Sequence, residues 1–526
     1  MNRVADIEQT VGSRQSNNFR DSFEHIIEWM RYRMFAETNV NRLLAIAQFY
    51  GTFRSFNFDG VYHDSEVEDI IEMRVAETGR LALLDMSKTS AGTVLVASNL
   101  ADCGGHSRVV LNWLAAFKEE NDHRLLITQT VSETYRSKLE CQRICYRLCA
   151  TQGVELINEV IAYCASAERV VLHIDPSDIV ATIAARILAK SGKRIIFYNH
   201  ADHRFSFGVS TANLVCEISS YGIEINRRAK RTHHACYLGI PIDFQAHKTY
   251  EVATVEKTAN KIVLSAGESY KYAPGKTFFG DFVDDLLEQR SDVTVMLVGP
   301  SGNEPWWIEV NRRWCNRVCF LGKIPHSLYL DTMQKADVYI DSFPITGGTA
   351  FPEALLNGKL VAGLHSALEG YSPVDELRVE GVHALARHVI SLLDGNPKSL
   401  HRIEEIRQKA VAAHSLTGFC ERVRNIYCNC YDGGEQPRMN IDTYWLEKRW
   451  AYNTEVYLPG RILPASVPLR FRISFKYRVN RLLKPSTNKY RGYIVLEIIF
   501  RLFPTCTREY VKNMRERLFG YLHRRP

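Results

Sequence analysis

The chain has 526 residues, 46% hydrophobic and 24% charged, with a formal net charge of +7. That length suits two or three domains and leaves room for a sizeable core. Its 13 cysteines follow no regular framework and its polar N-terminus shows no signal-peptide pattern, which together set the expectation of free thiols in a reducing cytoplasm. No apolar run reaches the length of a membrane span.

Residues 1–90 read as an α-helical N-terminal region, clearest in FEHIIEWMRYRMF from Phe23 to Phe35, where apolar residues recur at helical spacing. From 91 to 242 the pattern changes. Short apolar runs (TVLVAS, RLLITQT, RVVLHI, RIIFYNH, LVCEIS, HACYLGI) are separated in places by amphipathic stretches such as HSRVVLNWLAAFKEE and DIVATIAARILAKSG. Continuous apolar runs between helices predict a buried parallel sheet, hence an α/β, Rossmann-like domain. Cys141, Cys145 and Cys149 fall at i, i+4 and i+8 and are expected as buried thiols on one helical stripe. The polar stretch Asp243–Asn260 reads as a linker.

The alternation restarts over 261–430 with KIVLSAG, TVMLVGP, RVCFLGK, VYIDSF and LVAGL, and residues from about 370 read as closing helices. Two Rossmann-like halves facing a cleft are therefore predicted. Residues 431–526 form a basic C-terminal extension. From Ser466 it carries 15 Lys/Arg against 3 Asp/Glu, so the rest of the chain is mildly acidic. Interleaved aromatics suggest peripheral contact with an anionic membrane surface, with packing on the acidic body as the rival reading. No nucleic-acid motif is present, and no nucleic-acid partner is expected.

Four segments carry chemistry. In DSFPITGGTAFPEALLNGKL, Thr346, Gly347, Gly348 and Thr349 follow a strand and open a helix, where N–H groups and a hydroxyl suit a phosphate. Glu353 lies one turn further on the same face and suits ribose hydroxyls. In SAGESYKYAPGK, Lys271 and Lys276 follow a strand and can neutralise a diphosphate. In SNLADCGGHSR, Gly104 and Gly105 open a helix that brings His106 to its start, as a candidate general base. In FYNHADHRF, His200, Asp202 and His203 lie past a strand end. Their spacing is poor for a closed zinc site, so no metal is expected; His203 is the second candidate for acid–base work.

These motifs resemble GT-B glycosyltransferases, in particular the catalytic region of O-GlcNAc transferase and the bacterial adhesin N-glucosyltransferases, over about residues 92–390. The family's diphosphate lysine matches Lys271 in SYKYAP. Its Gly-x-Thr-Thr run matches Gly347, Gly348, Thr349 and Ala350, with alanine in place of the second threonine. Its acidic ribose ligand matches Glu353, and its first-half histidine matches His106. NHADH resembles a motif of bacterial polysaccharide glycosyltransferases. The resemblance implies an inverting, metal-independent transfer of a hexose-type sugar from a UDP-sugar co-substrate, without a further cofactor, to a glycan, lipid-linked or protein acceptor. The alternatives are a non-catalytic nucleotide-sugar-binding scaffold and a UDP-sugar epimerase on the same fold.

Overall fold

The computed structural model describes residues 27–56, 61–81, 92–101, 105–120, 122–229, 234–244, 260–274, 277–366 and 369–430. Gly104, Lys276, most of the Asp243–Asn260 stretch and the basic extension lie outside them.

The first sheet comprises β1 (Thr93–Leu100), β2 (His123–Val131), β3 (Tyr146–Leu148), β4 (Arg169–His173), β5 (Arg194–Asn199), β6 (Leu214–Glu217) and β7 (Ala235–Tyr237), all parallel, in the order β3-β2-β1-β4-β5-β6-β7. On β1, Val94, Leu95, Val96 and Ala97 are fully buried, because helices cover both faces. Each of the larger side chains contributes about 1.5–3 kcal/mol by leaving water. The order reverses between β1 and β4, so their following loops part and leave a crevice at the strands' C-terminal ends. The second sheet comprises β8 (Lys261–Ala266), β9 (Val293–Val298), β10 (Val318–Gly322), β11 (Val338–Ile340), β12 (Leu360–Leu364) and β13 (Arg378–Val379), in the order β10-β9-β8-β11-β12-β13. Its reversal falls between β8 and β11. The topology thus dictates that the loops carrying Lys271 and Thr346–Thr349 lie side by side.

One expectation fails between β2 and β4. The helix Glu133–Cys141 stops at its first cysteine, Arg143 takes a left-handed φ of 54°, and Tyr146–Leu148 becomes an edge strand. The three cysteines therefore share no helical stripe; Cys141 and Cys145 are exposed and only Cys149 is buried. A run of three strand residues is too short to announce itself by alternation.

Three helices (27–36, Val40–Phe56 and Ser65–Glu77) cover the helices Gly153–Cys164 and Ile179–Lys190 of the first half and share its core. The fully buried Glu68 anchors them, accepting from Gly208 N at 3.0 Å, Arg186 Nη1 at 3.1 Å, Thr211 Oγ1 at 3.2 Å and Ser210 Oγ.

The last described helix, Leu416–Tyr427, returns to the first half although the sequence places it with the second. Phe419, Cys420, Val423 and Ile426 enter the core formed by Leu95, Val110 and Trp113. Trp113 Nε1 donates to Tyr427 Oη at 3.2 Å, and Arg194 donates to the carbonyls of Tyr427 and Ile426 at 3.1 and 2.8 Å. At the preceding bend, buried His414 joins Ile240 O and Ser372 Oγ, both at 2.8 Å. Burial pushes its imidazole down to about 4. Among the described residues, no helix is long and apolar enough to cross a membrane.

Candidate active site between the two halves

At the switch point of the second sheet, β8 runs into a single 3₁₀ turn, Ser269–Tyr272. Tyr272 is buried in the core beneath, its hydroxyl 2.9 Å from Ser265 Oγ, and this anchors the turn that carries Lys271. Lys271 Nζ donates to Thr346 O at 2.9 Å, and Ile345 N donates to Lys271 O at 3.2 Å. Burial draws the lysine below its ordinary value, while the charges of Asp341 and Glu268 oppose that shift.

Asp341 organises the neighbouring loop. Fully buried at the end of β11, its carboxylate accepts from Ser342 N at 3.0 Å, Gly347 N at 2.8 Å and Arg378 Nη2 at 2.8 Å. Burial raises its carboxyl above the usual range, and Arg378 offsets only part of that rise. Ser342 Oγ closes the bend by donating to Ile345 O at 2.8 Å. The N–H of Gly347 is thereby spent, so this glycine gives room rather than a phosphate donor: a Cβ there would sit 2.5 Å from Asp341 Oδ1. Gly348 adopts φ +67°, which L side chains rarely take, and precedes Thr349 at the start of the seven-residue helix Ala350–Leu356. Asp341→Ala is expected to destabilise the fold by about 1–3 kcal/mol, because Arg378 Nη2 and the N–H groups of Ser342 and Gly347 lose their acceptor, while Asp375 still pairs with Arg378 Nε at 2.7 Å. Urea unfolding of this variant checks it.

Glu353 is buried on that helix, yet its Oε1 meets two groups from elsewhere. Arg108 Nη1, from the helix Gly105–Ala116 of the first half, lies 2.8 Å away, and His326 Nε2 lies 3.3 Å away. Burial alone would raise the Glu353 carboxyl; His326 and Arg108 outweigh it and hold it below the usual range. Arg108 Nη2 also donates to Thr349 Oγ1 at 3.2 Å. The halves approach closely here, since a methyl group on Gly105 would lie 3.5 Å from Thr349 Cγ2. The two donor segments and the start of the His106 helix therefore share one cleft.

On the first-half side, the ends of β1, β4 and β5 converge as their order requires. His106 follows β1, His173 ends β4 and His200 follows β5. The ring centroids of His106 and His200 are 4.1 Å apart, and those of His106 and His173 are 5.6 Å apart. Among the described residues, His106 Nδ1, His200 Nδ1 and both ring nitrogens of the fully buried His173 have no hydrogen-bond partner. Burial first, and the charge of His200 second, press His106 well below the usual histidine range. Burial likewise brings His200 down to about 3. His106 is thus a neutral imidazole at pH 7, able to accept a proton.

His203 stands apart from this stack. Its Nδ1 is 3.3 Å from Asp202 Oδ1 and 3.3 Å from Tyr371 Oη of the second half, and its Nε2 accepts from Arg204 Nε at 3.1 Å. Asp202 also bonds Ser219 Oγ and, at 3.1 Å, Tyr371 Oη. This cluster ties the halves together at a second point. Among the described residues no group of three or more His, Cys, Asp or Glu side chains is arranged to hold a metal ion.

Lowered histidines carry a stability consequence. His200 and His414 are neutral in the fold down to about 3 and about 4, whereas an unfolded histidine titrates near 6.5. Below that value the unfolded chain binds more protons, so stability is fully present above about pH 6.5 and falls on acidification. At pH 5 each is expected to cost about 2 kcal/mol relative to pH 7. Denaturant midpoints that fail to drop between pH 7 and pH 5 contradict this.

Arg108, His326, Asp341 and His173 escaped the sequence reading. Asp341 had a signal, an acid closing the apolar run VYID ahead of a glycine bend. The others had none, because each acts through residues distant in sequence.

No family model matches the sequence, and no curated protein sequence matches it. Solved structures do. The Anabaena protein HepE in complex with UDP superposes with a TM-score of 0.50 at 17% identity, covering 64% of this chain and 100% of that one. A glycosyltransferase from Rickettsia africae gives 0.49 at 14% identity, covering 65% and 99%. An O-GlcNAc transferase from Thermobaculum terrenum gives 0.46 at 12% identity, covering 75% and 81%. The chain has the GT-B fold.

Proposed function

From a GT-B fold in common with a UDP-bound structure, we propose that this chain is a glycosyltransferase that moves a hexose-type sugar from a UDP-sugar to a glycan, lipid-linked or protein acceptor. The observation that carries the reading is the 2.9 Å bond from Lys271 Nζ to Thr346 O, which sets an ammonium beside the Gly347–Thr349 bend at the sheet's switch point. The N–H groups of Gly348 and Thr349 make no hydrogen bond among the described residues and are available to a pyrophosphate.

In the proposed reaction the bond from the sugar's anomeric carbon to the diphosphate oxygen breaks while the acceptor's oxygen or nitrogen attacks from the opposite face, inverting the centre. His106 takes the acceptor's proton. Negative charge that grows on the departing diphosphate meets Lys271 and the bend's N–H groups, so no metal is invoked. Glu353 would accept from ribose hydroxyls. His203, bonded at both ring nitrogens, positions the interlobe contact through Tyr371 rather than touching the acceptor.

A thermal-shift screen across UDP-, GDP- and TDP-sugars tests the donor, with UDP-sugars expected to stabilise the protein. Radiolabelled donor with candidate acceptors then tests transfer. Binding without transfer or slow donor hydrolysis would favour a scaffold, and no shift with any nucleotide would remove the proposal.

A further inference from the structure

Arg108 belongs to the first half, but all three of its recorded partners lie in the second. Its Nη1 reaches Glu353 Oε1 at 2.8 Å and His326 Nε2 at 3.2 Å, and its Nη2 reaches Thr349 Oγ1 at 3.2 Å. Glu353 and Thr349 are the groups read above as ribose and phosphate ligands, so the guanidinium stands between two parts of one donor. Its Nε–H makes no hydrogen bond among the described residues. The side chain is 36% exposed, within reach of a solute entering the cleft.

Charge gives the reason. Glu353 carries one negative charge, which Arg108 balances. A pyrophosphate brings at least two more, and Lys271 supplies a single positive charge. A planar fork of N–H donors matches phosphate oxygens two at a time, which an ammonium cannot do.

We propose that Arg108 is a donor-contacting residue, its guanidinium reaching across the cleft to bond the pyrophosphate of the nucleotide-sugar. This rests on the nucleotide-sugar reading above. Arg108 lies two residues after His106 on the same helix, so a donor that engages it fixes the base in place as well. Donor binding and assembly of the reacting groups become one event.

The test compares UDP with uridine, which lacks the phosphates, by calorimetric titration of the full chain. Arg108→Met is expected to weaken UDP about tenfold or more and to leave uridine within about twofold. Glu353→Gln should weaken both ligands by similar factors, and Arg108→Lys should recover part of the UDP affinity. Circular dichroism of each variant confirms that it is folded. An unchanged ratio of UDP to uridine affinity in Arg108→Met overturns the assignment and leaves Arg108 as a tie between the halves. Wild-type protein that binds neither ligand overturns the nucleotide-sugar reading and this one with it.

Discussion

Lys271→Ala is expected to lower kcat by about 10²–10³-fold, about 3–4 kcal/mol of transition-state stabilisation, with a smaller change in donor affinity. The reasoning is differential. In the ground state the donor's diphosphate is already charged and partly satisfied by the N–H groups of the bend. As the anomeric bond breaks, charge concentrates on the oxygen that leaves, and an ammonium held in a desolvated site gains most at that moment. Thr346 O holds Nζ in place, and burial keeps water from screening it. Lys276→Ala should cost only a few-fold, since a solvated side chain is the usual state of a lysine. Equal losses from the two substitutions would undo the assignment, as would a Lys271 variant that lost donor affinity with kcat intact.

Replacing His106 with alanine is expected to reduce kcat by about 10²–10⁴-fold, the usual worth of a positioned base. The pH profile discriminates this from simple disruption. Burial and His200 lower the imidazole of His106, so the acid limb of kcat/KM should have its midpoint below about 6.5. Removing His200 opens the stack to water, which relieves the burial that lowers His106, and the limb should move to higher pH. A profile in which the limb stays fixed in His200→Ala would place the titrating base elsewhere.

Much of the architecture could be read from the amino acids because parallel strands buried on both faces are written as unbroken apolar runs. TVLVAS and KIVLSAG are such runs, and they begin their respective sheets. Once two strand–helix alternations are recognised, strand order alone brings the loops after β8 and β11 together, so the pairing of Lys271 with Thr346 was within reach. The rest of the site was not. Arg108 reads as one more polar residue on an amphipathic helix until the opposite half is in place. Asp341 and Arg378 form a buried pair 37 positions apart, and nothing local to either announces the other. Glu353 was placed correctly on its helix, but the arginine and histidine at its oxygen come from separate elements.

The path of the final helix has a consequence for what the chain can carry. Residue 430 ends the described structure beside the first sheet, not the second. Anything attached beyond it is therefore leashed to the first half, not to the half that carries Lys271. That exit lies at the strand beginnings that carry His123, Arg169 and Arg194, at the opposite end of the sheet from the loops that hold His106 and His200, so a tether there starts a strand's length away from the cleft.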